Sequence, residues 1–111
     1  MDLTAKVTGN ILICRVKGEL DHHTAEEFRD FVDRGLENNP VKHLILDLTH
    51  LNFMDSSGIG VLIGRFKKVN LRGGKVAVVN ENKQVSRVFE ISGIYDIIKS
   101  YSSISKAVND L

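Results

Sequence analysis

Apolar and polar residues alternate along Leu3-Thr4-Ala5-Lys6-Val7, the spacing of a strand with one covered face. A second apolar run, Ile11 to Lys17, follows Gly9-Asn10, and two strand-like runs about a two-residue Gly-Asn turn predict a β-hairpin. Gly18 to His23 reads as a loop. The spacing then changes: Ala25, Phe28, Phe31, Val32 and Leu36 recur at helical intervals, with Thr24 and Glu27 placed as a capping box at their start. Asn38-Asn39-Pro40 ends that helix, because proline has no N–H to donate and restricts the residue before it.

Leu44 to Leu48 is near-continuously apolar, as a strand covered on both faces would be. After it, Asp55-Ser56-Ser57-Gly58-Ile59-Gly60 reads as the turn from that strand into a helix running to about Arg72. Asp55 and Ser56 are both good N-cap residues, since their side-chain oxygens can accept first-turn N–H groups. With Asp55 as cap, Met54 and Ile59 take the two positions of a hydrophobic staple. Ile59, Leu62, Ile63 and Phe66 form the apolar stripe, and Gly73-Gly74 can close the helix through a left-handed residue. Lys75 to Val79 is a short apolar strand. Val85, Val88 and Phe89 mark a third helix that Gly93 stops, Ile94 to Ile98 fits a last edge strand, and Ser103 caps a short helix to Asn109. The order β-β-α-β-α-β-α-β-α predicts one α/β domain over residues 1–111. Its sheet is mixed and mostly parallel, of four to five strands, with an N-terminal hairpin, right-handed crossovers and four helices.

Gly60, Gly64 and Lys68 lie away from the apolar stripe of the middle helix. Each glycine inside a helix costs about 1 kcal/mol relative to alanine. Two of them on one side imply a need for a low, smooth surface, either for close approach of another chain or for a tight crossing within the fold. These residues alone leave both open.

Composition narrows the function classes. The chain has 111 residues, 42% hydrophobic and 26% charged, with a net charge of +1. That balance makes no long-range field for nucleic acid or an anionic membrane. No apolar stretch approaches the roughly 20 residues of a membrane span, and Met1-Asp2-Leu3-Thr4 lacks the basic and apolar regions of a signal peptide. Cys14, alone in the apolar run Ile11-Leu12-Ile13-Cys14, reads as a small core residue and fits a reducing cytoplasm.

Catalytic and metal readings find little support. His22 and His23 are adjacent, which rules out the i, i+4 stacking of helix ligands, and His43 and His50 flank the central strand with no nearby cysteine, so no metal is expected. A serine hydrolase elbow needs glycine two residues before the nucleophile; Met54 precedes Ser56 by two, and Asp55 precedes Ser57 by two. Gly73-Gly74-Lys75 lacks the first glycine and the hydroxyl of a phosphate loop and precedes a strand, so no nucleotide cofactor is expected. Asp47 stands near the end of the central strand without the acidic pair of a phosphoaspartate receiver, and reads as a strand-end residue bonded to nearby backbone. Arg65, Lys67, Lys68 and Arg72 read as a solvated basic helix face; the interleaved aromatics of a nucleic-acid surface are missing, with only Phe66 among them and in the core stripe.

Phe53-Met54-Asp55-Ser56-Ser57-Gly58-Ile59-Gly60 resembles the signature of the STAS-domain anti-sigma factor antagonists. Gly18-Glu19-Leu20-Asp21-His22-His23-Thr24-Ala25 is similar to that family's other marked stretch, and particularly to its sporulation members. Gly73-Gly74-Lys75 and Arg87 to Gly93 fall where the family has similar segments, so the resemblance spans nearly the whole chain. It implies a non-enzymatic module switched by phosphate. The unphosphorylated form binds an anti-sigma factor that is also a serine kinase, which frees the sigma factor. The kinase then phosphorylates a serine of the Asp55-Ser56-Ser57 run and binding is lost, and a serine phosphatase restores it. In the family the acceptor directly follows the aspartate, which implies Ser56; the helical wheel places Ser57 more squarely opposite the stripe. Asp21, Asp55, Ser56, Ser57, Gly58, Gly60 and Gly64 are the expected partner contacts. The alternative is a STAS-like scaffold or small-ligand sensor that phosphate does not switch.

Overall fold

Strands β1 (Asp2–Thr8) and β2 (Ile11–Leu20) form the expected hairpin in the computed structural model, which describes residues 1–111. Thr8 faces Ile11 across the two-residue turn, and Gly9 takes a φ of 59° there. A positive φ at the first turn position suits glycine and matches the twist of the flanking strands. Helix α1 (Ala25–Asn38), strand β3 (His43–Met54), helix α2 (Ser56–Leu71) and strand β4 (Val76–Val79) follow, then helix α3 (Lys83–Ser92), strand β5 (Lys99–Tyr101) and helix α4 (Ile104–Asp110). The sheet order is β1-β2-β3-β4-β5, with β1 antiparallel to β2 and all later neighbours parallel. This is the mixed, mostly parallel α/β sheet with four helices that the element order predicts.

Each parallel step moves in one direction across the sheet. Right-handed crossovers taken in one direction lay their helices on one face. Phe28, Val32 and Leu36 of α1, Ile59, Leu62 and Val69 of α2, and Val85 and Phe89 of α3 accordingly share one core with Leu12, Cys14, Leu44, Leu46 and Val78. The opposite face carries a smaller cluster, in which Ala107 of α4 packs near Ile11, Ile13, Ile45, Ala77 and Val79. Covering both faces explains the unbroken apolar run of β3. Burial also raises the pKa of the Cys14 thiol to about 12, so it behaves as a small core residue.

Four local expectations change. β2 runs to Leu20 and β3 to Met54, past the predicted ends at Lys17 and Leu48. The register slips between Arg15 and Lys17 and again between Gly18 and Glu19, so β3 carries an extra residue at each place. Leu48, Leu51 and Met54 are the buried positions there, a period of three that alternation cannot detect. Thr24 makes no side-chain cap bond to α1; its hydroxyl instead donates to the Glu19 carbonyl at 2.7 Å and accepts the Asp21 N–H at 3.0 Å. Ile94–Asp96 is a 3-10 turn, and the edge strand comes later, at Lys99–Tyr101. Asp47 is buried within β3, where it accepts from the Thr49 N–H at 3.1 Å and pairs with Arg15 at 3.2 Å.

Apart from the start of α1, the predicted helix ends form as expected. Gly73, with φ 78°, donates to the Asn70 carbonyl and Gly74 to that of Val69, the paired bonds of a Schellman stop on α2. Gly93, with φ 77°, closes α3, and the Ser103 hydroxyl caps α4 by accepting the Lys106 N–H at 3.2 Å.

Candidate functional site

The site begins where β3 leaves the sheet. Beyond Asp47, β3 has no β4 partner, since that pairing covers only Leu44 to Asp47. Side chains from the start of α3 take over. The Gln84 amide accepts the Met54 N–H at 3.0 Å and donates to the Met54 carbonyl at 3.1 Å, while Asn82 donates to the Leu51 carbonyl at 2.9 Å. An amide side chain can copy both bonds of a missing strand. These two residues fix the approach to Asp55, and the sequence reading missed them because nothing in their spacing reveals a partner some thirty positions earlier.

Asp55 is the N-cap of α2. Its φ of −117° and ψ of −171° are extended, and its carboxylate accepts from the Ser57 N–H at 2.9 Å and the Gly58 N–H at 3.4 Å. The staple residues Met54 and Ile59 are both buried in the main core. Ser56, the first helical residue, is exposed, whereas Ser57 is half-buried. The wheel misplaces Ser57 because the inner side of α2 is Gly58, Ile59, Leu62, Arg65 and Val69, rotated from the predicted stripe. Ile63 and Phe66 flank that inner side and are half-buried.

The loop that holds Asp21 meets this helix start. Leu20 pairs with Met54 in the sheet, and the Asp55 N–H donates to the Leu20 carbonyl at 3.3 Å. Asp21 is half-buried and organises its own turn, accepting from the His23 N–H at 2.8 Å and the Thr24 N–H at 3.1 Å. Desolvation pushes its carboxyl up, but these N–H donors together outweigh it and hold the carboxyl below its ordinary range. Asp21 and Asp55 thus do the same thing on adjoining turns, each spending its acceptors on local backbone.

The glycines of α2 divide into two kinds. A Cβ on Gly58 would stand 2.5 Å from Met54 Cγ and 2.9 Å from the Leu20 carbonyl oxygen, so Gly58 is an internal packing residue and presents no surface. A Cβ on Gly60 or Gly64 would meet nothing within 4 Å. No crossing within the fold requires those two, and they leave a shallow strip running from Ser56 along the outer side of α2.

The basic residues of α2 are not the solvated face the sequence predicts. Arg65 is 9% exposed, with Nε 3.1 Å from Asp33 Oδ1 of α1. The two atoms are close but not aligned for a hydrogen bond, so the contact is an ion pair only. Burial lowers the guanidinium pKa and the Asp33 charge opposes that shift. Lys68 reaches Glu37 at 3.0 Å and Arg72 donates to the Leu36 carbonyl at 3.1 Å. Three of the four cations therefore bind α2 to α1; Arg72 does so while exposed, and Lys67, also exposed, has no partner on α1. His43 is buried at the start of β3, where its Nδ1 accepts the Lys75 N–H at 2.9 Å. Desolvation lowers its pKa, as do the charges of Lys42 and Lys75. No helix is long and apolar enough to cross a membrane.

The STAS domain model matches residues 2–107. The chain belongs to the STAS domain family. Among its relatives, the anti-sigma F factor antagonist of Paenibacillus polymyxa is 41% identical over 101 residues, 91% of this chain and 86% of that one. The anti-sigma factor antagonist SpoIIAA in its unphosphorylated form has a similar structure. Its TM-score is 0.84 at 28% identity, over 98% of this chain and 95% of that one. The Bacillus cell fate determinant SpoIIAA in its phosphorylated form matches with a TM-score of 0.74 at 27% identity, over 98% of both chains. This STAS domain therefore shares its fold with relatives solved in both states, and in its Asp55–Gly60 run at the start of α2, Ser56 and Gly60 are exposed.

Proposed function

We propose that this STAS domain is an antagonist of an anti-sigma factor, switched by phosphate on Ser56. The observation that carries the reading is the exposed Ser56 at the first position of a helix whose next two N–H groups Asp55 already holds. The unphosphorylated surface formed by the Asp21 turn, Asp55, Ser56 and the open strip at Gly60 and Gly64 binds an anti-sigma factor with serine kinase activity and releases its sigma factor. Ser57 lies at the margin of this surface. Phosphorylation ends binding and a serine phosphatase restores it, so the protein is the substrate of the chemistry and its role is regulatory. The 41% identity to an anti-sigma F factor antagonist supports the partner class, and the existence of SpoIIAA in unphosphorylated and phosphorylated forms supports the switch.

Incubation with the cognate kinase and ATP, followed by tandem mass spectrometry, tests the acceptor. Phosphate is expected on Ser56. Ser56→Ala should accept none while shifting stability by no more than about 0.5 kcal/mol, the usual range for a surface change that removes no cap. Phosphate on Ser57 alone would transfer the switch to that residue. A protein that binds its partner and takes no phosphate would be the unswitched scaffold instead.

The same geometry argues for a direct block. A phosphoserine adds a charge of about −1.5 to −2. The Asp55 carboxylate already occupies the Ser57 and Gly58 N–H groups, which leaves the phosphate little of the helix end to fold onto, and its charge repels the phosphate. The helix itself is held by Ile59, Leu62 and Val69, each worth roughly 1.5–3 kcal/mol on burial. Backbone amide shifts on phosphorylation should be confined to the Asp21 turn and the first turns of α2. Shifts spreading through the sheet, or loss of α2, would make the switch conformational.

A further inference from the structure

The two edges of the sheet are unequal. β5 is three residues long, begins with the exposed Lys99 and lies beside α4, which blunts it as a template for another strand. β1 is seven residues long and nearly all exposed. Its pairing with β2 runs without a bulge from Asp2 opposite Lys17 to Thr8 opposite Ile11, and it holds no proline. The usual defences of a free edge are limited here to the charges of Asp2 and Lys6.

The hairpin tells which backbone groups are free. Around a two-residue turn, Thr8 and Ile11 exchange their N–H and C=O bonds, and the pattern alternates from there. Thr8, Lys6, Thr4 and Asp2 therefore aim their N–H and C=O groups at β2. Leu3, Ala5 and Val7 aim theirs outward.

We infer that this edge joins a second copy of the chain, β1 against β1 and antiparallel, centred on Ala5. A two-fold contact must be self-complementary, and this register is. Ala5 faces Ala5 as a hydrogen-bonded pair. Leu3 faces Val7 on both sides of the centre, again as hydrogen-bonded pairs, so every outward N–H and C=O from Leu3 to Val7 is satisfied. On the helix-bearing face, Val7, which is 43% exposed in the monomer, is covered by the Leu3 of the other copy. On the opposite face, Asp2 lies diagonal to Lys6 of the other copy, a distance at which opposite charges attract across strands. The groove between β1 and α1 is lined by Met1, Leu3 and Phe31 with Asp2, Glu27 and Arg34, an apolar floor carrying charges of both signs. Shifting the register by one residue would set inward-aimed groups against outward-aimed ones and lose the bonds. The result is a continuous sheet across two copies.

Sedimentation of the full chain from low micromolar to near-millimolar concentration tests this, together with hydrogen exchange at both ends of that range. The expected result is a reversible dimer. Amide protection should rise with concentration at Leu3, Ala5 and Val7 and stay unchanged at Thr4 and Lys6, which β2 already protects. Ala5→Pro removes an outward N–H and should weaken dimerisation at least about tenfold, since an edge strand tolerates proline only where its N–H faces away from the sheet. Should that variant fail to fold, the charge pair decides. Asp2→Lys should weaken the dimer, and Asp2→Lys combined with Lys6→Asp should restore it. A monomer at every concentration, or a dimer indifferent to both Ala5→Pro and Asp2→Lys, overturns the inference.

Discussion

Gly60→Val and Gly64→Val are each expected to lower affinity for the anti-sigma partner by at least about tenfold, or about 1.4 kcal/mol, with little change in melting temperature. Both residues lie in the interior of α2, and a Cβ at either would touch nothing in the monomer. Valine is a better helix residue than glycine by a few tenths of a kcal/mol, so the free protein loses nothing. In a complex the branched side chain would hold the two surfaces apart and undo close packing along the strip. Titration calorimetry against the partner, with a thermal melt of each variant, separates the two quantities. A sharp fall in melting temperature with affinity intact would show that these glycines serve the fold and that the partner docks elsewhere.

Gly74→Ala is expected to act in the opposite sense, destabilising the domain by about 3 kcal/mol or more, at the upper end of what overpacking costs. A Cβ there would lie 1.8 Å from the Lys42 carbonyl oxygen and 2.8 Å from Val69 Cγ1. The first of these is backbone, and the chain at Lys42 is tied down: its N–H donates to the Asn10 carbonyl at 2.7 Å, and the next residue's N–H donates to the same oxygen at 3.1 Å. Neither side can yield without breaking the entry to β3 or the stop of α2. For a domain of this size each kcal/mol moves the melting temperature by about 4–8 °C, so a drop of more than about 10 °C should be seen in a calorimetric scan. Partner affinity of the folded fraction should be unchanged, because Gly74 is buried at the end of α2 far along the helix from Ser56. A variant as stable as the parent would mean that the loop before β3 relaxes freely.

The contrast between Gly60 and Gly74 marks the boundary between what the amino-acid order settles and what it does not. Glycine spacing on a helical wheel says which side of α2 the small residues occupy, but it cannot say whether that side faces solvent or another element. The closing Gly73-Gly74 pair is legible as a helix stop because a positive φ is a local property of one residue. That Gly74 also grazes the chain before β3 depends on a contact more than thirty positions away.

Most of the local chemistry was readable, the Thr24 cap and the Ile94–Ile98 strand being the exceptions. The two-residue hairpin turn, the Asp55 cap with its Met54–Ile59 staple, the Gly93 stop and the Ser103 cap all rest on interactions within a few residues. Element order and the right-handed crossover rule carried the fold class as well, because a sequence of alternating strands and helices admits few sheets. The cap at the start of α2 was legible too, since Asp55 acts through the backbone N–H groups beside it. Only the tertiary structure decided the rest. The extensions of β2 and β3 depend on two extra residues in β3, which change the buried spacing from two to three and hide the strand from any test for alternation. Arg65 and Lys68 look like a solvated face until α1 brings Asp33 and Glu37 to them, because charge alone carries no information about which helix packs alongside. Asn82 and Gln84 become supports of the Ser56 turn only when α3 returns to the open end of β3. Each of these is a long-range pairing, and the sequence pattern records periodicity and local bonding, not which distant groups will meet.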